Sequence, residues 1–426
     1  MEEQTEGRER NERSEKRSTG SGAGFNRGRS WRDPVSGRQH SNTSGNQRPL
    51  SRYKREPNTL NSDVAILKWL KVSGYLQARY EYNDTSKSTD TIVKGVVTNR
   101  NANNFYIRRG RIKFTFQPAA TSKYVIYFDA AKNSISLKEA YVELNRPINK
   151  HSFTLTAGQF NVPFGYEVEY SSSKRDFPER SLAENKLFPG ERDRGINLTY
   201  TAPKYLVLNA GLLQGNGIDG PWNTPMKTKD IVARAKAKFG MVDVGMSGYW
   251  GHTYIASVAA VSGSSAWYDA NGNNQIDAGE VTTTAPKAAV PGSTWDKDRY
   301  GLDGQAYLDL LPIGSTGLRG EFYKARDYNK DIKKVAHEQG WYLWLSQNIG
   351  KKLGACMRYD YWSPNTQASD NATGTLSLAA NYFYDGNVRL TAGYDIPRLL
   401  KGKSTFSKSP NDVRDNRFTL QFQFTI

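Results

Sequence analysis

Residues 416–426 read NRFTLQFQFTI. Phe418, Leu420, Phe422, Phe424 and Ile426 take every second position, and Arg417, Thr419, Gln421, Gln423 and Thr425 take the others. Side chains of a strand alternate between two faces, so this stretch predicts a strand with one apolar and one polar face. The alternation recurs upstream. Val388, Leu390, Ala392, Tyr394 and Ile396 alternate with Arg389, Thr391, Gly393 and Asp395. Ile231, Ala233, Ala235, Ala237 and Phe239 alternate with Asp230, Val232, Arg234, Lys236 and Lys238. Near 109–116, Ile112, Phe114 and Phe116 oppose Arg109, Arg111, Lys113 and Thr115.

This periodicity predicts about sixteen strands, near 70–81, 104–117, 122–130, 134–145, 152–162, 193–201, 204–214, 228–240, 241–251, 298–310, 316–327, 338–349, 351–362, 373–385, 387–396 and 415–426. Even-numbered strands leave by short turns such as TAPK, FGMV and YDGN, and odd-numbered ones mostly by longer loops, the longest near 163–192 and 252–297. Short turns on one rim and long loops on the other are the wiring of an up-and-down antiparallel sheet. Polar faces bearing Arg, Lys, Asp, Glu and Gln cannot form a dry core, and outward apolar faces are unfavourable in water. A closed barrel in a bilayer satisfies both, because every backbone group pairs around the ring. The fold class expected is therefore all-β: an antiparallel transmembrane β-barrel over 59–426, with a lumen wide enough for water. Residues 416–426 become its closing strand.

Bulk composition agrees. Of 426 residues only 37% are hydrophobic, yet 12% are aromatic, as expected of a wet interior with aromatics outside. No apolar run approaches the ~18 residues of a spanning helix. The lone cysteine, Cys356, excludes an internal disulfide, and four scattered histidines show no metal-ligand spacing. Net charge is +17, which favours anionic partners. Residues 1–58 carry 13 Lys+Arg against 8 Asp+Glu and almost no aliphatic residues, which predicts a disordered basic tail. Its few aromatics, Phe25, Trp31 and Tyr53, make no stacking platform, so nucleic acid is not an expected partner. The start shows no basic, apolar and cleavage regions of a secretion signal. Since an outer-membrane barrel needs export, a displaced start is expected; the alternative is that 1–58 stands in its place and the barrel is not exported.

Three motifs narrow the class. GQFNVPFGYEVE at 158–169, DFPERS at 176–181 and ERDRGINLTY at 191–200 follow one another. Together with RRGRIKF at 108–114, they resemble the porin O/P family of phosphate- and polyphosphate-selective outer-membrane porins. The matching positions are Gly158, Pro163, Phe164, Gly165, Glu167, Phe177, Glu179, Arg180, Arg192, Asp193 and Gly195. The resemblance implies a sixteen-stranded homotrimer in the bacterial outer membrane and a long loop, here 163–192, that folds inward and narrows the pore. One departure is the final Ile426, where such strands usually end in an aromatic.

Candidate pore-lining, anion-binding cations are Arg109, Arg111, Lys113, Arg234, Lys236, Lys238, Arg319, Arg358 and Arg389 on strands, with Lys174, Arg175, Arg180 and Arg192 in or beside the loop. Cations in series exchange part of an anion's hydration for charge-assisted hydrogen bonds. The same parity also points Asp129, Glu139, Glu143, Asp303, Glu321, Asp360 and Asp395 inward, so a salt-bridged wall is the alternative. DANGNNQIDAGE at 269–280 places Asp269, Asn271, Asn273, Gln275, Asp277 and Glu280 at positions one, three, five, seven, nine and twelve of an EF-hand-type loop. Calcium is its expected ligand, though Asn274 stands where glycine is usual; a polar surface loop is the alternative. Tyr249, Trp250, Trp341, Trp344, Tyr359, Tyr361 and Trp362 lie near strand ends and are expected in interfacial girdles; the inward parity of Trp362 also allows a stacking surface in the pore. No Ser–His pairing or phosphate-cradling loop appears, so no enzyme and no required cofactor are expected. The function expected is passive diffusion of small hydrophilic solutes, preferring anions and among them phosphate. The alternatives are a plugged barrel or a surface β-protein that binds or adheres.

Overall fold

The computed structural model describes residues 67–84, 91–93, 96–98, 103–131, 134–220, 228–329, 333–369, 371–400 and 416–426. The expectation for the 1–58 tail lies outside them. The compact unit holding the barrel runs from Pro57 to Ile426.

Sixteen strands form one closed sheet. They are β1 (Leu70–Asp84), β2 (Asn103–Ala119), β3 (Ser122–Ala131), β4 (Ser134–Ile148), β5 (His151–Asn161), β6 (Arg192–Thr201), β7 (Leu206–Leu213) and β8 (Asp230–Phe239). The others are β9 (Val242–Ile255), β10 (Ser293–Leu311), β11 (Gly314–Asn329), β12 (Lys334–Ile349), β13 (Leu353–Ser363), β14 (Ala372–Phe383), β15 (Val388–Leu400) and β16 (Asn416–Thr425). Each pairs antiparallel with the next in sequence, and β16 closes on β1 with Gln77 opposite Gln423 and Asp84 opposite Asn416. The strand count and the closing role of 416–426 match the expectation. No described helix is long and apolar enough to cross a membrane; the spanning elements are strands.

The two faces separate as the alternation requires. Along β16, Thr419, Gln421 and Gln423 point inward and are buried, whereas Phe422 and Phe424 point outward, 55% and 48% exposed. Such an outer surface is stable in hydrocarbon and costly in water. Outward aromatics gather near both rims. Trp69, Phe116 and Tyr124 interlock toward the short turns. Trp341 with Tyr359 and Tyr361, and Trp250 with Tyr300, do so toward the long loops.

Two departures matter. A bulge between β1 and β2 sets Gln77 opposite Arg109 but Ala78 opposite Ile107. Arg108 becomes the extra residue, so Arg108 and Arg109 both reach lumen partners. The long 252–297 connection is also shorter than expected, because β9 runs to Ile255 and β10 starts at Ser293. Between them, Ser264–Trp267 and Val281–Thr284 make a separate two-stranded ribbon.

Candidate functional site

The connection between β5 and β6, residues 162–191, turns into the barrel and fastens to its wall. At Gly165 φ is +59°, and a Cβ there would sit 2.6 Å from a carboxylate oxygen of Glu321, so only glycine fits. The Gly165 amide donates to Ser247 Oγ at 3.0 Å. A short helix, α1 (Tyr166–Glu169), follows. Helix N-termini carry amides with no partner inside the helix; here Glu321 of β11 takes them. It accepts from the amides of Tyr166 and Glu167, and from the hydroxyls of Tyr323 at 2.5 Å and Tyr342 at 2.8 Å. A second helix, α2 (Leu182–Leu187), starts at Ser181, whose Oγ accepts from the Glu184 amide. The Ser181 amide donates to the buried Glu167 carboxylate at 3.0 Å, and the Leu182 amide to Asp360 at 3.2 Å.

Between the helices, side chains of the wall donate to carbonyls of the loop. Arg358 donates to the carbonyls of Glu179 (3.1 Å) and Arg180 (3.2 Å) and pairs with Asp360 and Glu167. Arg79 donates to Pro178 O at 2.5 Å. Arg389 and Gln423 share Ser173 O, Gln77 reaches Ser172 O, and Asn381 reaches Asp176 O. Apolar packing completes the seat. Phe164, Val168, Leu187 and Phe188 lie with Tyr249, Tyr323 and Trp362, and Phe177 lies with Tyr342 and Trp344. This corrects the girdle expectation for Tyr249, Trp344 and Trp362. All three point inward and are buried, clamping the loop, so Trp362 offers solutes no stacking surface.

Three guanidinium groups converge on one carboxylate of the loop. Arg79 (2.6 Å), Arg108 (2.7 Å) and Arg109 (3.2 Å) all bind Glu179. Burial opposes charge on Glu179, but Arg109, Arg79 and Arg108 outweigh it and hold the carboxyl well below its ordinary range. Burial likewise opposes charge on the half-buried Glu191, and Arg180, Arg192 and Arg175 hold it well below that range.

The expected cations divide by what they touch. Arg111 binds Asp129 and Ser172, and Lys113 and Arg192 share Glu139. Arg180 contacts Glu184 and Glu191, and Arg175 stands 3.8 Å from Glu191. Arg234 pairs with Glu169 and Asp303, Lys236 with Glu169, and Arg319 with Asp176 over the Trp344 ring. Lys238 is 4.0 Å from Asp243 beside a short turn, and Lys174 is exposed on the loop. The structure thus brings Arg109, Arg111, Lys113, Arg175, Arg180, Arg192, Arg319, Arg358 and Arg389 to the inward loop or the wall around it. Lys236 and Lys238 lie toward the short-turn end. Parity reasoning overlooked Arg79 and Arg108. The inward alternation of Gln77, Arg79 and Glu81 signals the first; only the bulge reveals the second.

The loop divides the lumen. A cavity of about 890 Å³ opens toward the long loops, lined by Arg79, Arg108, Arg180, Arg358 and Arg417 and by the carboxylates of Glu81, Glu179, Asp360 and Asp395 among others. One of about 450 Å³ opens toward the short turns, lined by Arg111, Lys113, Glu139, Arg180, Arg192 and the 171–173 serines among others. Among the described residues, Arg180 alone lines both.

Residues 269–280 form the exposed tip of the outer ribbon. Asn274 takes φ +58°, the left-handed backbone an EF-hand loop needs there. Asp269 accepts from the amides of Gly272, Asn273 and Asn274. Asp277 accepts from the side chains of Asn271 and Asn273, and the Gln275 amide donates to Asn273. Glu280 turns toward Trp267 and the amides of Ala270 and Asp277. Among the described residues, no three His, Cys, Asp or Glu side chains are gathered as a metal site.

Comparison with known proteins places this geometry. No curated protein matches the sequence. The solved structure of OmpT, an outer-membrane protein of Vibrio cholerae in a trimer form, is similar over 84% of this chain and 99% of its own, at 11% identity and TM-score 0.54. The outer membrane channel DcaP of Acinetobacter baumannii is similar over 84% and 97%, at 10% identity and TM-score 0.52. Both likenesses are of fold. The model of the family described as phosphate-selective porin O and P matches residues 87–426, a span holding all of β2–β16 and the inward loop. The chain therefore belongs to the phosphate-selective porin O and P family, a family of porin channels.

Proposed function

We propose that this protein is a passive diffusion channel of the bacterial outer membrane for small hydrophilic solutes, with a preference for anions. The observation that carries the preference is the convergence of Arg79, Arg108 and Arg109 on the single carboxylate of Glu179 at the long-loop cavity. At this point three positive charges meet one negative one, a local excess within a lining that also carries Glu81, Asp360 and Asp395 beside Arg358 and Arg417, and a low-dielectric wall strengthens such an excess. Arg389 adds a cation whose hydrogen bonds go to the neutral acceptors Ser173 O and Gln423. Phosphate is the first anion to try, because paired guanidinium groups suit its oxygens. Reversal potentials in planar bilayers across a KCl gradient test the reading. A chloride-biased potential with steady conductance supports it, a potassium-biased one refutes the preference, and no conductance from folded protein favours a plugged barrel.

The working unit in this reading is a homotrimer, on the family resemblance and the likeness to the trimer form of the Vibrio cholerae protein. Native-gel mass before and after heating tests it. The ribbon tip 269–280 is read as a calcium element peripheral to transport, on its ligand spacing and the left-handed Asn274. Calcium titration calorimetry on the whole protein, with Asp269→Asn as control, tests that.

A further inference from the structure

We infer that the short-turn rim of the barrel is a docking surface for anionic lipid headgroups. The inference rests on the membrane-spanning reading of the barrel and is independent of its solute preference. The seven short turns of that rim hold four cations, Lys150, Lys204, Lys351 and Lys352, and one acidic residue, Asp385. Asp385 accepts from the amides of Asn387 and Val388 inside its own turn. Lys68, just before β1, and Arg146, near the end of β4, lie at the same rim. All six cations are exposed, and among the described residues none pairs with a carboxylate. Lys123 and Lys238, which face the lumen mouth, do pair, with Glu143 and Asp243.

Arg146 fixes the level of this rim in the bilayer. It stands opposite Phe153 on the outer face, between the exposed Leu144 and Ile148. Arginine on the lipid side of a barrel is costly at the bilayer midplane and tolerated at the interface, so this end of β4 lies among headgroups. The neighbouring rings agree. Trp69 follows Lys68 and Tyr205 follows Lys204, both rings exposed, and amphipathic rings settle at headgroup level.

Two features select lipid over a protein or a wall polymer. The turns are too short to carry a side chain far past the strand ends, so the cations stay at the surface of the leaflet. They are also spread around the ring. Arg146, Lys150 and Lys204 belong to β4–β7, and Lys351 and Lys352 to the β12–β13 turn, nearly opposite in the sixteen-stranded order. A compact partner needs one patch, whereas a leaflet meets the whole circumference. An assembly of barrels that covers one of these arcs leaves the other in lipid. Short turns of outer-membrane barrels face the periplasm, which makes the leaflet the inner one. Anionic headgroups attract each lysine or arginine near their surface, over about a Debye length, and their phosphate oxygens accept charge-assisted hydrogen bonds.

The test exchanges the full-chain protein into mixed micelles holding equal phosphatidylglycerol and phosphatidylcholine, then reads the lipid it retains by mass spectrometry. The parent should hold the anionic lipid several-fold over the zwitterionic one, and added salt should erode that preference. Joint replacement of Arg146→Gln, Lys150→Gln, Lys204→Gln, Lys351→Gln and Lys352→Gln should abolish it. Lys174→Gln, which removes an exposed cation of the inward loop, should keep it. Equal retention of the two lipids by the parent, a preference indifferent to salt, or a preference that survives the joint replacement overturns the inference. If the joint variant does not fold, the salt series on the parent and the Lys351→Gln, Lys352→Gln pair decide, the pair being expected to weaken the preference. A parent without lipid preference that sediments with purified peptidoglycan, and loses this in the joint variant, overturns the inference in favour of the wall polymer. Reversal potentials of the same proteins test the proposed function separately, since these six side chains lie outside the two cavities.

Discussion

Two long connections leave the same rim and meet opposite fates. Residues 162–191 fold into the barrel, where Phe164, Val168, Phe177, Leu187 and Phe188 are all buried. Residues 256–292 run outward as a ribbon, where Tyr268 and Ile276 are 78% and 70% exposed. Apolar content does not separate them. The difference lies in what stands opposite. The inward loop meets aromatic rings of β9, β11, β12 and β13, the carboxylates of Glu321 and Asp360, and the guanidinium groups of Arg79, Arg358 and Arg389. Its amides find acceptors and its carbonyls find donors, which a loop withdrawn from water requires. The ribbon has no such wall, so its polar groups pair with one another at the tip. A loop enters a barrel when the wall replaces the hydrogen bonds it loses from water.

That contrast can be broken most severely by excision. Replacing 166–189 with a short flexible linker should raise single-channel conductance several-fold and erase ion preference. Removing 258–290 should leave both at parental values. Equal effects from the two deletions, read in planar bilayers, would sink the assignment of the constriction.

Single fasteners should cost less. Arg358→Ala leaves the buried Glu167 and Asp360 without their guanidinium partner and takes a donor from the carbonyls of Glu179 and Arg180; breaking a buried ion pair typically costs about 3–5 kcal/mol. The expected result is noisy, larger openings and new protease cleavage within 163–192, with the barrel itself intact. Glu179→Gln removes the carboxylate shared by Arg79, Arg108 and Arg109. It should strengthen the anion bias without enlarging the pore, seen as a reversal-potential shift at unchanged exclusion of larger sugars.

The parental loop should also resist acid. The folded pKa of Glu179 is depressed, so its stabilisation is present above the unfolded value of ~4.3 and lost only as pH falls through the lower folded one. Protease resistance of 163–192 should persist down to about that pH; loss of resistance near neutral pH would place the restraint elsewhere. The smallest effect belongs to the outer ribbon. Calcium should slow its proteolysis and leave conductance unchanged, and Glu280→Gln should remove the protection.

Much of this architecture was readable beforehand. The alternation in 416–426, 388–396 and 230–239 assigned each side chain to lipid or lumen, because a strand has period two and a closed barrel leaves only those two destinations. The inward loop was legible through its family motifs, and Gly165, Glu167, Glu179 and Arg180 in those motifs lie in the contacts that seat it. Parity could not foresee Arg108, since a bulge moves it into register with the lumen. It does separate Trp344 from Trp341, three residues apart and on opposite faces, but not what the inward ring packs against.

Local sequence determined the strands, their faces, the sheet's wiring and the inventory of charges, because each depends on spacing along the chain. Tertiary structure alone decided which carboxylates and carbonyls each cation fastens, and that Arg180 lines both cavities. Those properties are set by distances across the lumen, between strands far apart in sequence, and a guanidinium's effective charge depends on how many carboxylates reach it.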